Sequence, residues 1–349
     1  MRIAQIAPLY EAVPPLRYGG TERVVSFLTE ELVAMGHQVT LFASGDSVTR
    51  AELAAMRPKA LRLDPSVRDT LAPHFVTLQE VMRRAGEFDM LHFHLDYLPF
   101  PLFTGQGLPW VTTLHGRLDL PELGPVFDSY PHAPVVSISD SQRLPLPQAN
   151  WAATIHHGLP RDLLTPRGEE PGYLAFLGRI APEKRPDRAI RIAAAAGLPL
   201  KIAAKVDKAD TEYFAREIEP LLGQAHVEFI GEITDREKPD FLSGAKALLV
   251  PIDWPEPFGL VMIEAMACGT PVIAYRQGSV PEVVEDGLTG FIVEDEAGAI
   301  AALTRLGELS RQRIRARFEE RFTARRMASD YVELYEALIR KVRPKLRAV

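Results

Sequence analysis

Short apolar runs alternate with helical stretches along this chain, and the alternation starts twice. The first set of runs falls at 3–8, 39–44, 90–94, 110–115, 135–139 and 153–156. None alternates apolar with polar, so they predict parallel strands covered on both faces. A second set follows at 173–178, 200–204, 227–230, 247–251 and 271–274, with a short piece at 291–293. Gly158-Leu159-Pro160 through Pro166, Gly168, Pro171 and Gly172 separates the sets and is the most Pro/Gly-dense connector present. The predicted fold class is therefore α/β: two Rossmann-like, doubly wound parallel-sheet domains facing a cleft. Their expected bounds are 1–160 and 161–325, with a last helix at about 326–349 packing back on the first domain. A length of 349 residues suits two such domains better than one.

Composition narrows the partners. Net charge is −6, and residues 1–160 carry 12 Lys/Arg against 16 Asp/Glu, so nucleic acid is not expected as a partner. No apolar run has the length of a membrane helix, and MRIAQIAPLY enters a strand pattern with one charge, unlike a signal peptide. Arg340, Lys341, Arg343, Lys345 and Arg347 form a basic tail that reads as a solvated helix end; peripheral membrane contact is possible but not favoured. Cys268 is the sole cysteine, which suits a reducing, cytoplasmic setting, and its apolar neighbours mark it as a packing residue.

The segment 255–269 carries the sharpest chemistry. Pro255-Glu256-Pro257-Phe258-Gly259-Leu260 reads as a loop entering an apolar helix of about three turns, stopped by Gly269 and Pro271. Glu264 sits in the middle of that helix, eight positions after Glu256. A lone carboxylate among Ile, Met, Ala and Cys costs several kcal/mol unless something pairs with it. A hydroxyl-rich ligand would serve, and so would a Lys or Arg in the core. Phe258, Gly259 and Leu260 are expected in the first turn, where free backbone N–H groups hold phosphate readily. Phosphate first and hydroxyl acceptor deeper is the layout expected of a nucleotide site.

Three further segments fall at expected strand ends. Tyr18-Gly19-Gly20-Thr21-Glu22 offers paired glycines at a strand-to-helix turn, either for close approach of a ligand or simply for the turn. Gly178-Arg179 and Lys184 place two cations in one loop, where they would clamp a diphosphate or merely be solvated. His92, His94 and Asp96 share a strand face at a spacing that metal sites can use, but further ligands are not identifiable, and no metal or cofactor is expected. His115-Gly116 ends the next strand, with His115 able to hydrogen-bond a sugar hydroxyl. There is no G-x-S-x-G and no Gly-Lys-Ser/Thr phosphate loop, so hydrolase and P-loop chemistries are not expected.

Glu256 and Glu264 resemble the E-x7-E motif of GT-B retaining glycosyltransferases, most closely family 4. The similarity also covers Gly19-Gly20-Thr21-Glu22, the stretch 89–94, Thr113-Leu114-His115-Gly116, Gly178-Arg179 with Lys184, the stretch 255–260, Gly269-Thr270-Pro271-Val272-Ile273-Ala274 and the stretch 278–290. The resemblance implies a nucleotide-sugar donor held mainly by the second domain, with Arg179 and Lys184 on the diphosphate. It implies Glu264 on the ribose, Glu256 on the transferred sugar and the backbone of Phe258, Gly259 and Leu260 nearby. Gly20 and His115 would approach from the first domain, which would hold a saccharide, lipid-linked or small-molecule acceptor. His115, Glu256, Arg179 and Lys184 are the implied catalytic set, with no metal. One segment departs: where the family often has Asn-Gly-(Val/Ile)-Asp, this chain has His157-Gly158-Leu159-Pro160. A non-hydrolysing nucleotide-sugar epimerase and a non-catalytic nucleotide-sugar binder share the same residues and remain alternatives.

Overall fold

The computed structural model describes residues 1–16, 19–168 and 171–342. It divides into two compact units, Met1–Gly158 with the helix Ala324–Val342, and Leu159–Thr323.

In the first unit seven strands form one sheet: β1 (Arg2–Ile6), β2 (Gln38–Ser44), β3 (Glu52–Arg57), β4 (Met90–Phe93), β5 (Trp110–Thr113), β6 (Val135–Ser137) and β7 (Trp151–Thr154). Their order is β3-β2-β1-β4-β5-β6-β7, and every neighbouring pair is parallel. The second unit has β8 (Tyr173–Ile180), β9 (Leu200–Val206), β10 (Val227–Gly231), β11 (Ala245–Val250), β12 (Val272–Tyr275) and β13 (Gly290–Val293), ordered β10-β9-β8-β11-β12-β13 and again parallel. In each sheet the chain builds outward on one side of its first strand, then returns to build on the other. That reversal puts a topological switch point between β1 and β4 and another between β8 and β11, where such sheets bind ligands beyond the carboxyl ends of the strands.

The unalternating runs are buried on both faces where the strands are central, but the edge strands β7 and β10 stay partly open, β10 with Phe229 and Ile230 exposed. All four residues of β4, β5 and β12 are buried, as the sequence pattern requires of central parallel strands. One strand has no counterpart among the predicted runs. Glu-Leu-Ala-Ala-Met-Arg in β3 is helix-favouring by composition, yet it lies at the sheet edge, paired to β2 from Thr40↔Glu52 to Ser44↔Arg57. Tertiary pairing has overridden local preference there.

The last helix is Ala324–Val342. Met327, Ala328, Tyr331, Tyr335, Leu338 and Ile339 form its buried stripe, at the spacing of an amphipathic helix. Tyr335 receives a hydrogen bond from Gln5 of β1, and Tyr331 meets Thr113 of β5, so this helix closes the first sheet. Of the basic tail, Arg340 is paired with Glu336 at 3.5 Å, while Arg343, Lys345 and Arg347 lie outside the described residues. No described helix is long and apolar enough to cross a membrane.

Candidate active site

At the β8/β11 switch point the second unit gathers charge. β8 runs two residues past Gly178, so Arg179 belongs to the strand end rather than to a loop. Lys184 follows in the short turn Pro182–Lys184. Opposite them, the chain leaving β11 carries Asp253, Trp254 and Glu256. The Lys184 ammonium is ion-paired with the Glu256 carboxylate and lies 4.9 Å from the Trp254 ring centre. Trp254 Nε1 donates to the same Glu256 oxygen at 3.2 Å. Arg179 reaches Asp210 at 2.9 Å and Glu183 at 2.5 Å. Both cations keep about a quarter of their side chains exposed (Arg179 27%, Lys184 25%), so each can still meet an anion from solvent.

The loop before the buried helix is held from behind. Ser279 N donates to Glu256 O at 2.9 Å, and Ser279 Oγ to Phe258 O at 2.9 Å. A Cβ on Gly278 would stand 2.4 Å from both N and O of Glu256, so only glycine permits this approach. Gly259, at φ 79, is the N-cap. The helix is Leu260–Ala267, about two turns rather than three, and its first free N–H groups begin at Leu260. Phe258 lies outside it, with its side chain buried at 6.2 Å from the Phe322 ring centre.

Glu264 is 4% exposed, and Lys238 pairs with its Oε1 at 2.6 Å. The core cation weighed as an alternative partner is therefore real. It engages one oxygen only; Oε2 has no hydrogen-bond partner among the described residues. A ribose hydroxyl could donate to that oxygen without displacing Lys238. Cys268 caps the C-terminus of this helix, buried, its thiol pushed up to about 12 by burial and by the Glu264 charge, which fits packing and not nucleophilic attack.

The first unit brings a different set together. β4 and β5 stop at Phe93 and Thr113, so His94 and His115 stand just beyond the strand ends. His115 Nε2 and His94 Nδ1 are 2.8 Å apart, and the His115 ring stacks on His157 at 5.3 Å. No spacing along the chain joins His157 to His115. His92 and His94 are not metal ligands in waiting: their ring nitrogens are engaged by Thr113, Tyr335, Gln5 and His115. Among the described residues no group of three or more His, Cys, Asp or Glu is placed to hold a metal ion. Gly20 is exposed at the start of the helix Gly20–Ala34, with Glu22 buried in its first turn and its carboxyl raised, chiefly by burial. Tyr18 lies outside the described residues.

Two parallel-sheet units, each with a switch point, define the GT-B fold, and solved structures share it. AviGT4, a glycosyltransferase involved in avilamycin A biosynthesis, superposes at a TM-score of 0.74 with 23% identity, covering 97% of this chain and 98% of that one. Sucrose-phosphate synthase from Thermosynechococcus elongatus superposes at 0.78 with 22% identity, covering 98% and 100%. Sequence comparison goes further. Residues 165–323 match the family described as "Glycosyl transferases group 1", and residues 18–156 match "Glycosyltransferase Family 4". The chain belongs to these group 1, family 4 glycosyltransferases. It is 37% identical over 190 residues to D-inositol 3-phosphate glycosyltransferase of Rhodococcus erythropolis, a match covering 48% of this chain and 42% of that protein. The Mycobacterium bovis protein of the same name is 35% identical over 160 residues, covering 43% and 33%. The matches thus span less than half the length of these relatives.

Proposed function

We propose that this protein is a retaining, metal-independent hexosyltransferase that moves a hexose from a UDP- or GDP-linked sugar to a hydroxyl of a saccharide, glycolipid or small-molecule acceptor. Lys184 on Glu256, beside Trp254, is the observation that carries this reading. Both cations are still reached by solvent, so a diphosphate, with more charge than a carboxylate, can take over Lys184 and Arg179. Glu256, released from Lys184, is then free to accept from hydroxyls of the transferred sugar. Glu264 Oε2 takes the ribose. The donor is thus assigned to Leu159–Thr323 and the acceptor to the first unit, with Gly20 and His115 meeting sugar.

Catalysis on this assignment is positioning plus stabilisation of the departing diphosphate. As the anomeric C–O bond breaks, its electron pair goes to the phosphate oxygen facing Lys184 and Arg179. The acceptor oxygen bonds to the same face of the oxocarbenium-like carbon, and its proton passes to the departing phosphate oxygen, so the products are the glycoside and the nucleoside diphosphate. Two solved structures of the same fold, 18% identical to this chain, are described as Anabaena HepE in complex with UDP and glucose and with UDP-glucose, which makes UDP-glucose the first donor to try. A cytoplasmic location is assigned with it, since the one cysteine is a free, buried thiol.

Nucleoside diphosphate release, followed with a panel of donors and acceptors, tests the reading. Release that needs both donor and acceptor, and falls in Lys184→Ala, is expected. Epimerisation of the donor without acceptor, or donor binding with no transfer to any acceptor, would replace it.

A further inference from the structure

A line of buried polar side chains crosses the first sheet, from the last helix to His115. Gln5 and His92 are fully buried, and His94 is 3% exposed. Burial holds the imidazoles of His92, His94 and His115 neutral, so each ring carries one N–H and one lone pair. The Gln5 amide then sets the direction of the line. Its Nε2 donates to Tyr335 OH at 3.1 Å, which leaves Oε1 facing His94 Nε2 at 2.8 Å. An amide oxygen only accepts, so His94 carries its proton on Nε2 and offers a lone pair at Nδ1. The atom 2.8 Å from that lone pair is His115 Nε2, which must therefore be the donor. His115 is left with a bare lone pair at Nδ1, and this enclosed atom has no partner among the described residues. Tyr335 OH, receiving from Gln5, donates onward to His92 Nδ1 at 2.6 Å, and His92 Nε2–H donates to Thr113 Oγ1 at 2.7 Å. The Gln5 amide nitrogen also lies 3.4 Å from His92 Nδ1, a longer contact than the Tyr335 hydroxyl makes to the same atom.

We propose that Gln5 is a positioning residue which, through His94, fixes His115 as its Nε2–H tautomer, so that Nδ1 is left purely as an acceptor toward any sugar hydroxyl that reaches it. The sugar end of this inference rests on the glycosyl-transfer reading, and the tautomer end stands on the sheet alone. Turning the Gln5 amide over would reverse every proton in the line and leave His115 Nδ1–H as an enclosed donor with no acceptor, the rarer and costlier kind of orphan. A ligand group that must donate, a hydroxyl, is thereby favoured over one that only accepts, such as a phosphate oxygen or a carboxylate.

Long-range proton–nitrogen correlation spectra of the full chain labelled with ¹⁵N-histidine, free of ligand at neutral pH, read the tautomers directly. His115→Gln and His94→Gln spectra assign the signals. The expected result is Nε2–H for both His94 and His115 in the natural chain. Gln5→Leu is expected to lose that single form for both rings. Gln5→Glu, which keeps an oxygen acceptor toward His94 Nε2, is expected to retain the Nε2 proton on His94 and guards against a folding defect in the leucine variant. Nδ1–H at His115, or Nε2–H unchanged in Gln5→Leu, would overturn the inference. If the protein transfers sugar, Gln5→Leu should also lower kcat about 10-fold or more with the donor KM little changed. Absence of transfer activity would sink the functional reading and leave the tautomer result to decide this one.

Discussion

The two switch points solve the same problem with opposite chemistry. Beyond β8 and β11 the second unit sets formal charges against one another: Lys184 on Glu256, Arg179 on Asp210 and Glu183, Lys238 on Glu264. Beyond β1, β4 and β5 the first unit uses neutral rings and amides: Gln5, His92, His94, His115 and the two tyrosines. The pairs of Arg179 and Lys184 are partly open to solvent and can exchange a carboxylate for an incoming anion, which suits a charged ligand that comes and goes, whereas Lys238 and Glu264 are buried together. A buried neutral line is rigid and directional, which suits recognition of hydroxyls. The contrast makes the two units fail under different insults.

Acid should separate them most strongly. His92, His94 and His157 are at most 4% exposed and are held well below the usual 6.5, chiefly by burial. Below 6.5 the unfolded chain binds protons that the fold refuses, so stability is whole above about 6.5 and falls as pH drops through it. Three such groups at about 1.4 kcal/mol per pH unit each give a loss of about 4 kcal/mol by one unit lower. Burial pushes His115 down to about 3, so it adds to the same loss. In the second unit Glu319 is held below its usual 4.5 by Arg315, then by Arg161, so its contribution is lost only as pH falls further, through the carboxylate range. Hydrogen exchange at pH 5.5 should therefore show the first unit opening while Leu159–Thr323 stays protected. Simultaneous opening would remove the distinction.

Lys184→Ala comes next. Loss of a charge facing the leaving group is expected to lower transfer about 100-fold or more, while the thermal midpoint moves little because the pair is partly exposed. Steady-state kinetics beside a melting curve checks both halves. Glu264→Gln should weaken donor binding by about 1.5–3 kcal/mol in calorimetry, since a hydroxyl loses a charged acceptor; unchanged affinity would remove the ribose assignment. Gly278→Ala should cost about 1–3 kcal/mol of stability, because its Cβ meets the Glu256 backbone at 2.4 Å, and should depress transfer as Glu256 shifts. The smallest effect is expected at Cys268, whose buried thiol should resist alkylation in the folded protein; rapid labelling would mean that the helix Leu260–Ala267 opens.

Legibility in the sequence follows the same division. Both sheets could be read from unalternating apolar runs, except β3, where Ala-rich composition favours helix and only pairing with β2 makes a strand. Arg179, Lys184, Glu256 and Glu264 could be singled out because each is a charge in an apolar or glycine-rich setting. Their partners could not. Lys238 lies 26 positions from Glu264 at the start of a short helix, and Trp254 stands in the chain leaving β11, with nothing in either segment to tie them to the two glutamates. The line through Gln5, His94 and His115 was hidden for a stronger reason: it joins residues from three strand ends and a helix 330 positions from Gln5, and no spacing in one segment reports such a junction. Gly278 sits in a turn at φ 53, which favours glycine by itself, but its close approach to the Glu256 backbone has no signal in the sequence.

Titration calorimetry with UDP, GDP, ADP and their common sugar conjugates, with and without a chelator, on the natural chain and on Lys184→Ala, bears most directly on the charged site. Binding of one nucleotide series, indifferent to the chelator and weakened in Lys184→Ala, is the expected result. No heat with any of them, or affinity unaltered by Lys184→Ala, would contradict the assignment of that cluster to a nucleotide-sugar donor.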